Sequence, residues 1–271
     1  GFHGVFVAGS SGEAMNLTQK QKESAIRIVL DETGGKIPVL CGAIDASTNR
    51  VIENIKAIEQ MGGKFVVVTP PFYNKTYSQS EIVRHFESIA ASTSLKMIIY
   101  NIPKYTQVDI SLETIIWLSD VDNIIAIKES SGSFIKFMEC LNYFKKSCNK
   151  NFYVLQGITE LAGVSILFGA DGCTPVLAPI FPDVFLNLYK ASCDRDIEEM
   201  LQWQDVVLHS AKIIKIGKNP LSCIKYAVSI LGLCDSKVSE PCEPLTETEK
   251  KEIVCIMNDI WEDAERIGCR I

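Results

Sequence analysis

Short apolar runs rich in β-branched residues recur along this chain, each separated from the next by a longer stretch of helical periodicity. That alternation constrains the fold most. Buried parallel strands read as continuous apolar runs, and each needs a crossover long enough for a helix. Strands are read at Val5–Ala8, Val39–Gly42, Phe65–Thr69, Met97–Asn101, Ile124–Lys128, Tyr153–Gln156 and Gly172–Val176. Helical stretches lie between them at Thr18–Thr33, Asn49–Met61, Ser80–Ser92, Leu112–Ser119, Phe134–Lys146 and Thr159–Phe168, several opening at Ser or Thr caps. After Pro182 the strand signal stops. Val184–Ala191, Ile197–Lys215, Leu221–Leu231 and Thr246–Ile267 read as helices, punctuated by Gly217, Pro220, Gly232 and Pro241 to Pro244.

Seven strand–helix units fit either an open doubly wound sheet or a barrel one strand short. The opening Gly1-Phe2-His3-Gly4 runs straight into a strand and favours the barrel. The expectation is a (β/α)8 TIM barrel over residues 1–190, with a first βα unit of about 30 residues preceding the region given. A helical domain over 191–271 follows.

The 271 residues are 47% hydrophobic, enough for one large core. With 27 basic and 33 acidic residues the net charge is -6, and no basic cluster could track a phosphate backbone. Nucleic acid is therefore not an expected partner. No apolar run approaches the roughly 20 residues that cross a bilayer, and no signal-peptide pattern opens the chain. Ten cysteines run from Cys41 to Cys269 without a C-x-x-C pair, and three histidines are too few to complete a zinc constellation. The pattern suits reduced, buried thiols in a cytoplasmic protein. His3, His85 and His209 have no Ser, Cys or Asp arranged with them as a triad requires.

In parallel α/β architectures functional groups gather at the carboxyl ends of the strands. Gly9-Ser10-Ser11-Gly12-Glu13 offers a tight turn with two hydroxyls and successive amides, read as a helix start suited to a carboxylate. Tyr100-Asn101-Ile102-Pro103 leaves a phenol at the next informative rim position, where it is either a proton relay or a satisfied core residue. Lys128 ends the run Ile124-Ile125-Ala126-Ile127. An amine there is either solvated or desolvated, and desolvation would lower its pKa and leave the neutral form that attacks a ketone. Gly157 would let a substrate approach the backbone closely.

Together, Gly9-Ser10-Ser11-Gly12-Glu13, Tyr100-Asn101-Ile102-Pro103 and Ile127-Lys128-Glu129-Ser130-Ser131-Gly132 resemble the dihydrodipicolinate synthase and N-acetylneuraminate lyase family. The resemblance continues through Gly157, Gly169-Ala170-Asp171-Gly172 and the stretch from Asn219-Pro220 to Gly232-Leu233. It implies a (β/α)8 barrel with a C-terminal helical domain, a homotetramer or dimer, and no metal or organic cofactor. Lys128 would be the Schiff-base lysine for pyruvate and Tyr100 the proton relay. Ser10 and Ser11 would hold the pyruvate carboxylate, Ser11 also serving as the catalytic hydroxyl linked to Tyr100. Gly157, Ser130, Tyr105, Thr159 and Glu160 would line the substrate, and Tyr73, with Phe72 as the alternative, would reach a neighbouring subunit.

Two departures order the substrates. Where familiar dihydrodipicolinate synthases carry a carboxylate-binding arginine, this chain has Tyr105, and the adjacent Lys104 lacks the bidentate fork of a guanidinium. Thr69-Pro70-Pro71-Phe72-Tyr73-Asn74 is more like the 2-keto-3-deoxy sugar acid aldolases, while Thr159-Glu160 keeps one member of the acidic pair that meets sugar hydroxyls in the lyases. The first expectation is thus an aldolase releasing pyruvate from a 2-keto-3-deoxy sugar acid or related 2-oxo acid. Condensation of pyruvate with aspartate semialdehyde is the alternative, dehydratases using the same imine are a third possibility, and a non-catalytic ligand-binding barrel is the reading from another class.

Overall fold

The computed structural model describes residues 1–74, 77–147 and 151–268, so Cys148 and Cys269 lie outside the described residues. They form two compact units, one of His3–Gly157 with Gly169–Gly172, the other of Gly1–Phe2, Ile158–Phe168 and Cys173 onward. The division thus falls earlier in the chain than the 190/191 boundary expected from sequence.

The first unit alternates strand and helix: β1 (Val5–Val7), α1 (Gln19–Thr33), β2 (Val39–Gly42), α2 (Thr48–Gln60), β3 (Phe65–Val68), α3 (Gln79–Ala90), β4 (Lys96–Asn101), α4 (Pro103–Thr106), α5 (Leu112–Leu118), β5 (Ile124–Glu129), α6 (Phe134–Asn142) and β6 (Tyr153–Gln156). A π turn over Tyr143–Ser147 extends α6. Thr18 caps α1 as expected, in a reciprocal capping box with Gln21, while α3 starts two residues earlier than expected, capped by Ser78 in a box with Glu81. The four-residue α4 carried no periodicity long enough to be read.

Strands β1 to β6 pair in parallel, each with its successor, and the seven-stranded sheet runs in order from β1 to β7 (Gly172–Cys173). A doubly wound sheet reverses its strand order at a switch point. This sheet does not, which removes that alternative. The last strand ends at Cys173 rather than Val176.

Both faces of the strands are buried, which explains why the runs read as continuously apolar. Val66, Val68, Met97, Ile99 and Ile127 pack with helix residues such as Ile55, Ile58, Ile82, Phe86 and Ile115. The opposite face gathers Phe6, Leu40, Phe65, Val67, Ile98, Tyr100 and Ala126. Alternation along each strand therefore sorts side chains between a helix side and an inner side.

The regular elements of the second unit, Cys173 apart, are helical, chiefly α7 (Ala162–Leu167), α8 (Pro182–Asp194), α9 (Ile197–Ser210), α10 (Pro220–Ile230) and α11 (Glu247–Ile267). Its core joins Phe185 and Leu188 of α8, Trp203 and Val207 of α9, Ala227 of α10 and Met257 and Ile260 of α11. Among the described residues no helix is long and apolar enough to cross a membrane.

Candidate active site

Lys128 lies on the inner side of β5, paired in register with Tyr100 of β4 and Leu155 of β6, and is only 8% exposed. Its Nζ sits 4.2 Å from the Tyr100 ring centre and 5.1 Å from that of Phe6. The aromatic faces favour the ammonium, but by less than burial disfavours it. Burial pulls the amine from the usual lysine value to about 7. The solvated alternative is thereby excluded.

Two glycines stand where a side chain would crowd this amine or the ring beside it. A Cβ on Gly157 would fall 1.8 Å from Ser130 Oγ and 2.9 Å from Lys128 Cε. One on Gly9 would fall 2.8 Å from the Phe6 ring that lies against Lys128. Close approach, rather than a strained backbone angle, is what these two positions require, since neither is among the positive-φ glycines.

Tyr100 is buried, which raises its phenol above the usual tyrosine range, while the hydroxyls of Ser10 and Ser130 act in the opposite sense. Ser130 Oγ is buried and, though near Tyr100, meets full hydrogen-bond geometry with no described residue. Of the two turn hydroxyls it is that of Ser10 that acts on Tyr100, while Ser11 is exposed. The turn itself differs from expectation. Gly12, Glu13 and Ala14 amides bond back to Gly9 and Ser10 carbonyls, and α1 starts only at Gln19. The amides of Ser10 and Ser11 take no part in those bonds, so the turn, not a helix start, presents them.

Behind the inner face, Asn101 ties three segments together. Its Nδ2 donates to Glu129 Oε2 and Asp109 Oδ1, both at 2.8 Å, its Oδ1 accepts from Ile110 N, and its carbonyl accepts from Ser130 N. Glu129 also accepts from Ser131 N through its side chain and from Gly157 N through its carbonyl. Lys136 pairs with Asp109. Sequence reasoning quoted Asn101 and Glu129 within motifs but gave them no task; they fix the strand ends that carry Tyr100, Lys128 and Gly157.

A second buried anchor joins α2, α3 and the end of β3. His85 Nε2 lies 3.1 Å from the Thr69 carbonyl and Nδ1 lies 3.0 Å from Thr48 Oγ1. Burial lowers the imidazole to about 4, despite the bond to Thr69. A neutral ring with a carbonyl at Nε2 donates there and accepts from Thr48 at Nδ1.

The remaining expected residues are placed as follows. Tyr105 is on α4, 56% exposed, with Lys104 Nζ 5.8 Å from its ring centre. Tyr73 is 97% exposed and holds a positive φ of 84°, whereas Phe72 packs into the inner cluster. Thr159 and Glu160 belong to the helical unit. There Thr159 Oγ1 accepts from Val176 N, the Glu160 carbonyl accepts from Gln204 Nε2, and its carboxylate pairs with Lys215 at 3.4 Å. Among the described residues no three His, Cys, Asp or Glu side chains group as metal ligands.

A desolvated amine beside a buried phenol, at the carboxyl edge of a parallel sheet, defines the imine-forming class of aldolases and lyases. Comparison with known proteins gives the same class. The Dihydrodipicolinate synthetase family model matches residues 1–260. The 4-hydroxy-tetrahydrodipicolinate synthase of Phenylobacterium zucineum is 28% identical over 259 residues, 96% of this chain and 86% of that protein. That of Bartonella quintana is 32% identical over 254 residues, covering 93% and 84%. Among solved structures, the Escherichia coli K12 prophage protein YagE, in complex with pyruvate, aligns with a TM-score of 0.90 at 27% identity, over 96% of this chain and 88% of that one. The dihydrodipicolinate synthase of Bacteroides thetaiotaomicron aligns with a TM-score of 0.89 at 28% identity, over 96% and 87%. The chain belongs to the dihydrodipicolinate synthetase family and is a class I, Schiff-base aldolase or lyase.

Proposed function

We propose that this protein joins pyruvate to an aldehyde, or releases it from the adduct, through an imine on Lys128. The observation that carries the reading is the Lys128 amine, buried, brought to about 7 and 4.2 Å from the Tyr100 ring centre. Its neutral form adds to C2 of pyruvate to give a carbinolamine. Tyr100, beside Ser10, moves the proton that lets water leave. The iminium draws electrons from C3, a C3 proton departs, and the enamine attacks the aldehyde carbon. Hydrolysis of the product imine restores the amine. The iminium is itself the electron sink, so the chemistry calls for no metal or organic cofactor.

Ser11 and Ser10, presented by the Gly9 turn, hold the pyruvate carboxylate, while Ser130 and Gly157 border the adduct. Tyr105, exposed on α4, belongs to the acceptor side. The sequential strand order supports a (β/α)8 barrel with a C-terminal helical domain, and Tyr73, nearly fully exposed at a positive φ, supports a tetramer or dimer in which it enters the neighbour's site. None of the eight described cysteines is joined in a disulfide, which suits a cytoplasmic location.

For the acceptor, the relatives favour aspartate semialdehyde, the alternative in the sequence reading, over a sugar acid. The second reading, a 2-keto-3-deoxy sugar acid aldolase, is favoured by Tyr105, which offers no cation to a second carboxylate. Condensation of pyruvate with aspartate semialdehyde, measured beside pyruvate release from a panel of 2-keto-3-deoxy sugar acids, separates them. The synthase reading expects kcat/KM for the condensation to exceed every sugar-acid value; the reverse order overturns it.

A further inference from the structure

Thr69 follows directly on β3, whose register pairs Val67 with Ile98 and Val68 with Ile99, so the next step brings Thr69 alongside Tyr100. Phe65 and Val67 belong to the inner cluster with Tyr100, and Val66 and Val68 to the helix-side core. Continuing that alternation puts the Thr69 side chain on the inner side. The residue is 2% exposed, yet its Oγ1 has no hydrogen-bond partner among the described residues. Its backbone is not slack: the carbonyl accepts from His85, itself anchored by Thr48. A buried hydroxyl left unpaired is costly, and an apolar side chain of the same shape would avoid that cost. Ser130 Oγ, buried and likewise without a full hydrogen bond to a described residue, stands just beyond the end of β5, at the other side of Tyr100.

Resting on the imine chemistry proposed for Lys128, we infer that the Thr69 hydroxyl is a further substrate-binding group, hydrogen-bonding an oxygen of the pyruvyl group carried on Lys128. Thr69 and Ser130 then flank Tyr100 as a pair of hydroxyls that find partners when substrate is present. The Thr48–His85 anchor behind β3 holds the first of them in place.

Pyruvate alone is a sufficient probe, because the enamine exchanges the C3 hydrogens with solvent deuterium, followed by NMR. Thr69→Val keeps the shape and removes the hydroxyl. The expected result is a roughly ten- to hundredfold lower kcat/KM for exchange, with the thermal midpoint held or raised, and Thr69→Ser close to wild type. Exchange by Thr69→Val within about twofold of wild type would overturn the assignment, as would a lower midpoint accompanying the loss. Borohydride trapping keeps the two readings apart. An adduct on wild type with unaltered exchange in Thr69→Val removes only Thr69, whereas no adduct on wild type removes the Lys128 chemistry and Thr69 with it.

Discussion

Lys128 is governed by the balance between burial and charge. Because its folded pKa of about 7 lies below the ordinary lysine value, the penalty for burying the ammonium is present in full below pH 7 and fades as pH rises toward that ordinary value. Lys128→Met should therefore be more stable than wild type at pH 6, with the gap narrower at pH 9, as read by urea denaturation at both pH values. The rate of imine formation should rise with pH through about 7 and then level, since the neutral amine is the nucleophile. Gly157→Ala tests the same pocket by crowding. A methyl group 1.8 Å from Ser130 Oγ and 2.9 Å from Lys128 Cε forces both aside, so trapping should slow by at least about a hundredfold for a displacement near 1 Å. The stability cost, by thermal melt, should be about 1–3 kcal/mol. Sequence reasoning reached Lys128, Tyr100, Ser10 and Gly157 as a set because they fall on strand ends in a recognisable order. Which of Ser10 and Ser11 faces Tyr100 was not legible, since adjacent serines in a turn differ only in the direction the backbone gives them. Thr69 was readable from strand parity alone, lying two residues beyond the inner-facing Val67 of β3.

At the scale of elements, the strand ends are held by polar anchors that periodicity does not report. Asn101 is fully buried and bridges β4, β5 and the 109–110 segment. Asn101→Ala leaves the buried Glu129 carboxylate without that donor and Ile110 N without its acceptor, at a cost of about 3 kcal/mol. A double-mutant cycle with Glu129→Gln in urea denaturation should return a coupling of about 1 kcal/mol or more; strict additivity would separate the two residues. The elements themselves were legible: seven strands and the helices between them appear within a few residues of the bounds read from apolar periodicity, with capping boxes at Thr18, Ser78 and Thr246. Exceptions have local causes. The short α4 is one turn imposed after Ile102-Pro103, and the last strand stops before Thr174-Pro175, where proline has no amide to give a ladder.

On the scale of the whole molecule, sequential strand order carries the architecture and Tyr73 carries the expectation of assembly. A tyrosine almost wholly exposed at φ 84° is strained for a residue with a Cβ. Tyr73→Gly relieves that strain but removes the ring, so the monomer should be no less stable while assembly and activity fall together. Sedimentation velocity across a dilution series, with exchange activity measured on the same samples, checks this. Unchanged assembly and activity would remove Tyr73 from the interface.

The central claim is a covalent one. Incubating the protein with pyruvate and borohydride, then weighing it and mapping its peptides, should give one reduced pyruvyl adduct per chain, confined to Lys128 and lost in Lys128→Ala. An unmodified mass, or an adduct on another lysine that persists in Lys128→Ala, would contradict the account.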